Sequence, residues 1–196
     1  MDNHQSGIDE LLRRRHPSDP YVIEEMVRAY RIQVYRLALS ILDHPDEADD
    51  ATQDALIRAA AHLDSYQVGT NLRAWIFTIA VNTCRGYLRK RAARANLNKI
   101  LISLASLVSR PIDPEAKVVQ NETRTQLWDL VEKLPEKQRL AIILHLAHGL
   151  SVTEVAQILR TKPKTVYSRL YGAYRRLRHQ LQLSGDYWLI EDEEKL

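Results

Sequence analysis

The sequence predicts an all-α protein, two small helical domains joined by a linker. Three observations carry that prediction. Glycine is scarce, 6 in 196 residues, which disfavours a turn-rich β-sandwich and leans toward helices. Apolar residues recur every three or four positions along most of the chain, the period of an amphipathic helix. No stretch shows a convincing strand pattern, and there is no tandem repeat or low-complexity tract.

The elements follow in order. Residues 1–17 read as a polar, mobile N-terminus. Ser18-Asp19-Pro20 is a helix start, followed by Val27, Tyr30, Val34, Leu37, Ala38 and Ile41 at helical spacing. Asp43-His44-Pro45 breaks that helix. A second begins near Pro45 with acids in its first turns, where they suit the helix dipole. Its apolar positions are Ala48, Ala51, Ala55, Leu56, Ala59 and Leu63. Ser65 to Thr70, with Gly69, reads as a loop. A third helix runs from about Asn71 toward Arg94, with Leu72, Trp75, Ile76, Ile79 and Thr83 on one side. The first domain is thus expected over 18–95.

Residues 96–114 are expected to be a linker, ended by Arg110-Pro111-Ile112-Asp113-Pro114. Its middle, Ile100 to Val108, is more apolar than a free linker should be. The second domain is expected over 115–183. Leu134-Pro135-Glu136 stops one helix and starts the next, which carries Leu140, Ile143, Leu144 and Ala147 and ends at His148-Gly149. Ser151-Val152-Thr153-Glu154 is a capping box opening a short helix to Leu159. After Arg160-Thr161-Lys162, Pro163 starts a last helix to about Gln182, with Val166, Leu170, Ala173, Leu177 and Leu181 as its buried stripe. Residues 184–196 form an acidic tail interrupted by Tyr187-Trp188-Leu189-Ile190.

Composition excludes several classes of protein. A single cysteine, Cys84, allows neither an intramolecular disulfide nor a Cys-based zinc site, and fits a reducing cytosol. No apolar run suits a signal peptide or a bilayer span, so a cytoplasmic protein without membrane insertion is expected. Seven scattered histidines show no metal spacing, and there is no phosphate loop and no nucleophile elbow. Cys84 lies inside a helix and reads as a packing residue. No catalytic residue, metal or cofactor is expected.

Net charge is only +3, but the charges are segregated. From Ser65 to Ile112 there is no acid, against Arg73, Arg85, Arg89, Lys90, Arg91, Arg94, Lys99 and Arg110. From Val155 to Gly185 there is again none, against Arg160, Lys162, Lys164, Arg169, Arg175, Arg176 and Arg178. Between Asp43 and Asp54 the sign reverses, with Asp43, Asp46, Glu47, Asp49, Asp50 and Asp54 and no Lys or Arg. Two basic blocks and one acidic block point to nucleic acid plus a basic protein partner; the alternative is three solvated faces.

In the C-terminal part, a short capped helix, a tight turn and a basic helix make a helix-turn-helix candidate. Small Ala156 sits where the two helices cross, and Val155, Ile158, Leu159, Val166 and Leu170 form the joint core. Lys164, Ser168, Tyr171 and Arg175 make one outward stripe; Thr165, Arg169 and Arg176 make the next. Arg and Lys reach phosphates or guanine edges, and Ser and Tyr do either. A plain αα-hairpin in a bundle is the competing reading. On the third helix, Thr78, Asn82, Arg85 and Arg89 form a polar-basic stripe, expected roughly opposite Trp75, Ile76 and Ile79. The preceding loop offers Tyr66, Gln67, Thr70 and Asn71. Donors, amides and an aromatic beside a basic helix suit unpaired bases; a solvated face with a core Trp would look similar.

The run Tyr35 to Leu42, then Asp46 to Leu56, resembles the second region of bacterial RNA polymerase sigma factors, and Arg73-Ala74-Trp75-Ile76-Phe77-Thr78-Ile79-Ala80-Val81-Asn82 continues it. Leu134 to Arg139, Gly149-Leu150-Ser151 and Thr165-Val166-Tyr167-Ser168-Arg169-Leu170 resemble the fourth region. With only these two regions and a short linker, the chain is similar to the extracytoplasmic-function (ECF) class. The resemblance implies a non-enzymatic factor that binds core RNA polymerase, recognises the −10 and −35 promoter elements and promotes DNA opening. By that resemblance Asp50, Gln53 and Asp54 dock on the polymerase β′ clamp. Tyr66, Asn71, Trp75, Asn82, Arg85 and Arg89 capture the −10 element. His145, Tyr167, Ser168 and Tyr171 meet the −35 element, with Lys164, Thr165 and Arg169 added from charge and placement. An anti-sigma factor is a typical partner of the class.

The chain departs from the family pattern at the turn, where Arg160 and Lys164 each stand in place of a usual Gly. A non-Gly residue at positive φ is costly, so a rearranged turn is expected. His145, where Arg is frequent, implies a weaker, pH-sensitive contact. The competing function is a stand-alone helix-turn-helix transcriptional regulator, which would bind duplex DNA without polymerase.

Overall fold

The structure, a computed structural model, describes residues 3–105 and 128–184, with side chains over 6–96 and 128–181. Every regular element among the described residues is helical. The chain divides into two compact units, Met1–Ile112 and Asp113–Leu196. Residues 115–127 of the expected second domain, the Arg110–Pro114 break and the tail 185–196 lie outside the described residues.

In the first unit, α1 (Asn3–Arg14) packs on α2 (Pro20–Leu42), which pairs with α3 (Pro45–Ala61) and α4 (Leu72–Ala105). Asp19 caps α2. Its carboxylate accepts the Tyr21 N–H at 2.9 Å and an Arg15 N–H at 3.0 Å, and Pro20 follows at the first position. Those two donors, the Tyr21 N–H first, hold the Asp19 carboxyl below its ordinary value. Val22, Met26, Tyr30, Val34, Leu37, Ala38, Ile41 and Leu42 are buried; Val27 stands half-buried at the edge of that face. The helix stops at Asp43, a left-handed residue at φ 50°.

Helix α3 buries mostly small residues, Ala48, Ala51, Thr52, Ala55 and Ala59, with Leu56. Short side chains on that face let α2 and α4 approach closely on either side. Asp46 and Glu47 occupy its first turn, where carboxylates complement the dipole. A 3₁₀ turn, Leu63–Ser65, leads to a loop with Gly69 at φ +90°. Helix α4 is anchored by Asn71, whose Oδ1 accepts the Ala74 N–H at 2.8 Å.

Two expectations for this unit need correction. The N-terminus is not a mobile polar arm over its whole length: residues 3–14 are helical, and Ile8, Leu12 and Asp9 are buried. Ile8 and Leu12, four apart, form one apolar ridge, too short to stand out against polar neighbours. Helix α4 also runs through Ala105, well into the stretch expected to be a linker. No Gly or Pro occurs between Tyr87 and Arg110, and residues 92–105 are rich in Ala and Leu, so nothing terminates the helix at Arg94.

The described part of the second unit begins with α5 (residues 128–132), followed by α6 (Glu136–Ile142). The chain continues as a π turn, Ile143–Ala147. Leu140 through Leu144 are buried in an unbroken run. The wider turn rotates the following face, so Ala147, expected inside, is exposed. Gly149 ends the segment at φ +62°. Helix α7 (Val152–Ile158) has the expected capping box: Ser151 Oγ accepts the Glu154 N–H at 3.3 Å, and Glu154 Oε2 accepts the Ser151 N–H at 2.8 Å. Helix α8 (Pro163–Ser184) buries Val166, Leu170, Ala173, Leu177 and Leu181 against α6 and α7. Truncating one of these leucines costs about 2–5 kcal/mol.

Candidate nucleic-acid interface

Helices α7 and α8 form a helix-turn-helix whose core is the predicted one: Val155, Ala156, Ile158, Leu159, Val166 and Leu170 are all buried. The turn is not rearranged. The Thr161 N–H reaches the Ala156 carbonyl at 2.9 Å and the Arg160 N–H reaches Gln157 O at 3.1 Å, the paired bonds of a Schellman C-cap. That motif requires a left-handed residue, and Arg160 takes it at φ 48°. Two capping bonds and the buried joint on either side hold the turn in its ordinary form despite the side chain.

With one face of α8 buried, the rest is available. Lys164, Tyr167, Ser168, Tyr171, Arg175 and Arg176 are exposed, and Thr165 and Arg169 are half-buried. Tyr167 and Tyr171 are 58% and 72% exposed, unusual for large aromatic side chains without a partner. Ser168 donates its hydroxyl to the Lys164 carbonyl at 3.1 Å. His145 lies in the π turn with Nδ1 2.7 Å from the Leu150 carbonyl. A carbonyl only accepts, so Nδ1 carries the proton and Nε2 is the ring's other polar atom.

The first unit presents its basic helix differently from the sequence expectation. Trp75 lies on the same face as Asn82, two turns on, not opposite it. The core face of α4 is Leu72, Ala74, Ile76, Phe77, Ala80, Val81, Thr83 and Cys84, while Trp75 and Ile79 are half-buried. Asn82 and Arg89 are exposed and Arg85 half-buried, so Trp75, Asn82, Arg85 and Arg89 do share one surface. Thr78 turns its hydroxyl back onto the Ala74 carbonyl at 2.8 Å.

Two members of the expected −10 set are engaged within the protein. Tyr66 is only 6% exposed. Its hydroxyl donates toward Asp9 Oδ1 at 3.0 Å and the Thr70 carbonyl at 2.8 Å, and its ring is tilted on Trp75, centroids 5.7 Å apart. Burial, then the Asp9 carboxylate, pushes the Tyr66 hydroxyl up to about 12. Tyr66 therefore supports Trp75 from beneath and has no open face of its own. Asn71 gives its carbonyl oxygen to the α4 cap. An aromatic in a polar loop reads as exposed in sequence; the contact with α1, 57 residues away, has no local signal.

The acidic surface lies on α3. Asp50 and Gln53 are exposed. Asp54 is half-buried and accepts the Tyr87 hydroxyl at 3.0 Å. Burial and Asp54 raise Tyr87 to about 12. Arg91 donates to Leu42 O at 3.1 Å and sits 3.6 Å from Glu47, so the basic stretch of α4 is tied to the acidic end of α3. Between α2 and α3 lies a groove of about 460 Å³ lined by Ile23, Val27, Arg31, Asp49, Gln53 and Ile57 among others. Ile57 is 59% exposed. The groove places apolar side chains beside the acidic ones, which charge counting along the chain does not reveal. Cys84 is fully buried, and burial pushes its thiol up to about 12, the reverse of an activated nucleophile.

Fold and surfaces together define an all-helical, two-unit DNA-binding protein with a C-terminal helix-turn-helix. The chain matches the family Sigma-70 region 2 over residues 26–94 and Sigma-70, region 4 over residues 124–177. It is 36% identical over 148 residues to the ECF RNA polymerase sigma factor EcfG of Rhodopseudomonas palustris (strain TIE-1), covering 76% of this chain and 78% of that protein. It is 28% identical over 181 residues to the ECF RNA polymerase sigma factor SigW of Bacillus subtilis (strain 168), covering 89% and 97%. Among solved structures it is similar to the sigma factor RpoE from Bartonella quintana, crystallised with the anti-sigma factor NepR. The TM-score is 0.61 at 28% identity, over 82% of this chain and 96% of that one. The chain belongs to the extracytoplasmic-function RNA polymerase sigma factors and is a promoter-recognising transcription initiation factor.

Proposed function

We propose that the two units divide initiation between them. In the first unit, α3 docks on the polymerase β′ clamp through Asp50 and Gln53, with Asp54 held in place by Tyr87 and the apolar α2–α3 groove beside them. A basic partner segment suits the exposed acids; the flanking Ile23, Val27 and Ile57 supply apolar area that charge pairs at a wet surface lack. Helix α4 captures the −10 element with Trp75, Asn82, Arg85 and Arg89, Trp75 offering a ring to an unpaired base. Asn71 and Tyr66 serve this surface by capping α4 and by backing Trp75. In the second unit α8 enters the major groove at the −35 element. Tyr167, Ser168, Arg169 and Tyr171 face base edges and phosphates, and Lys164, Thr165 and His145 flank them.

The chain performs no catalysis of its own on this reading. It works in the cytoplasm with core polymerase and is held in reserve by an anti-sigma factor, as the Bartonella protein was found with one. The observation that carries the proposal is the acidic, partly apolar face of α3 in the same chain as an acid-free helix-turn-helix. DNA binding alone accounts for the second feature and not the first.

The test is co-elution of the purified chain with bacterial core RNA polymerase. Asp50→Arg is the informative variant, because Asp50 is exposed, whereas altering Asp54 also breaks the Tyr87 contact. Co-elution weakened at least tenfold by Asp50→Arg, with the fold unchanged by circular dichroism, is the expected result. Equal co-elution removes Asp50 from the interface, and no complex with a folded chain leaves the stand-alone regulator.

A further inference from the structure

One residue of the helix-turn-helix stands where its backbone conformation favours another type. Arg160 stands at φ 48°, at the C′ position of α7, where glycine is the residue without steric cost. Its side chain is exposed and forms no ion pair among the described residues. Two capping hydrogen bonds offset the backbone cost, but they need only the left-handed backbone and not the arginine. Glycine would make the same bonds without the cost, so the retained side chain points outward, to function.

Its surroundings indicate which function. Arg160, Lys162 and Lys164 are all exposed and lie at alternate positions around the turn that leads into α8. No acid occurs from Val155 to Gly185. The nearest one before it, Glu154, is committed to the capping box. The N-terminal end of a recognition helix is the end that enters the major groove, so the turn before it passes the phosphates on the groove's rim. We propose that Arg160 is a DNA phosphate contact, an additional binding residue of the helix-turn-helix whose charge is retained at the cost of backbone strain. The proposal rests on the reading of α8 as a DNA-recognition helix.

Stability and DNA binding should then respond with opposite signs. Arg160→Gly and Arg160→Asn both suit a left-handed residue and both remove the charge. Each is expected to raise the unit's melting temperature by a few degrees, on the order of 4–8 °C per kcal/mol for a domain this small. Each should also weaken full-length chain binding to a short mixed-sequence duplex several-fold, and lower the slope of log affinity against log salt by about one. Arg160→Lys keeps charge and strain and should change neither. Arg169→Ala, titrated on the same duplex, reports on α8 itself. If Arg169→Ala weakens binding while the Gly and Asn variants leave affinity and salt slope unchanged, Arg160 is no phosphate contact. If none of the variants changes binding, the reading of α8 falls with it.

Discussion

Tyr66 and Tyr87 give their hydroxyls to carboxylates, Asp9 and Asp54, from distant parts of the sequence. Both are raised from 10.0 to about 12, by burial first and then by the carboxylate. A tyrosine favoured in its neutral form stabilises the fold fully below its unfolded value, and that stabilisation is lost as pH rises through the folded value. The first unit should therefore lose stability between pH 10.0 and about 12. Cys84, raised from 9.0 to about 12, adds to the same loss from lower pH. Thermal melts across this range, with tyrosinate absorbance followed in parallel, should show the loss flattened in the Tyr66→Phe, Tyr87→Phe double variant. An undiminished loss in that variant would contradict the assignment. At neutral pH, Tyr66→Phe should cost about 1–3 kcal/mol, because it leaves the buried Asp9 carboxylate without its donor.

At the scale of elements, most of the fold was legible because most elements announce themselves locally. Pro20, Pro45 and Pro163 start helices, and the stripe Val166 to Leu181 is buried in full. The capping box sits at Ser151 and Glu154; Ser151→Ala should lower the stability of the second unit by about 1 kcal/mol, read from urea unfolding at an unchanged m-value. What was not legible depends on contacts distant in sequence or on the absence of a stop. The fate of α1 turns on Ile8, Asp9 and Leu12 meeting the rest of the first unit. The length of α4 turns on nothing interrupting it. Of the inward side expected for α4, Leu72, Ile76 and Thr83 are buried, while Trp75 and Ile79 stand half-buried at its edge and Phe77, Ala80 and Cys84 complete the core line. The π turn at Ile143–Ala147 has no sequence signature, and it displaces Ala147 from the core side. The turn at Arg160 was expected to rearrange on steric grounds; two capping hydrogen bonds outweigh about 1 kcal/mol of backbone cost.

At the scale of the molecule, the charges are segregated. The acid-free face of α8 and the acidic face of α3 belong to different compact units. Candidate site residues split along the same line between legible and hidden. Positions defined by charge and exposure, Asp50, Gln53, Asn82, Arg89 and the outer stripes of α8, were read correctly as surface. Tyr66 and Asp54 bond to residues far along the chain, which charge and spacing do not reveal, and Asn71 caps the helix that follows it. The most direct test of the whole account is transcription in vitro, with core polymerase, this chain and a pool of genomic fragments. Transcripts that require the chain and begin downstream of a shared pair of elements are expected. Asp50→Arg should abolish them through lost core binding, and Arg169→Ala should diminish them with core binding intact. Tight duplex binding by the chain alone, with no chain-dependent transcript, would contradict it.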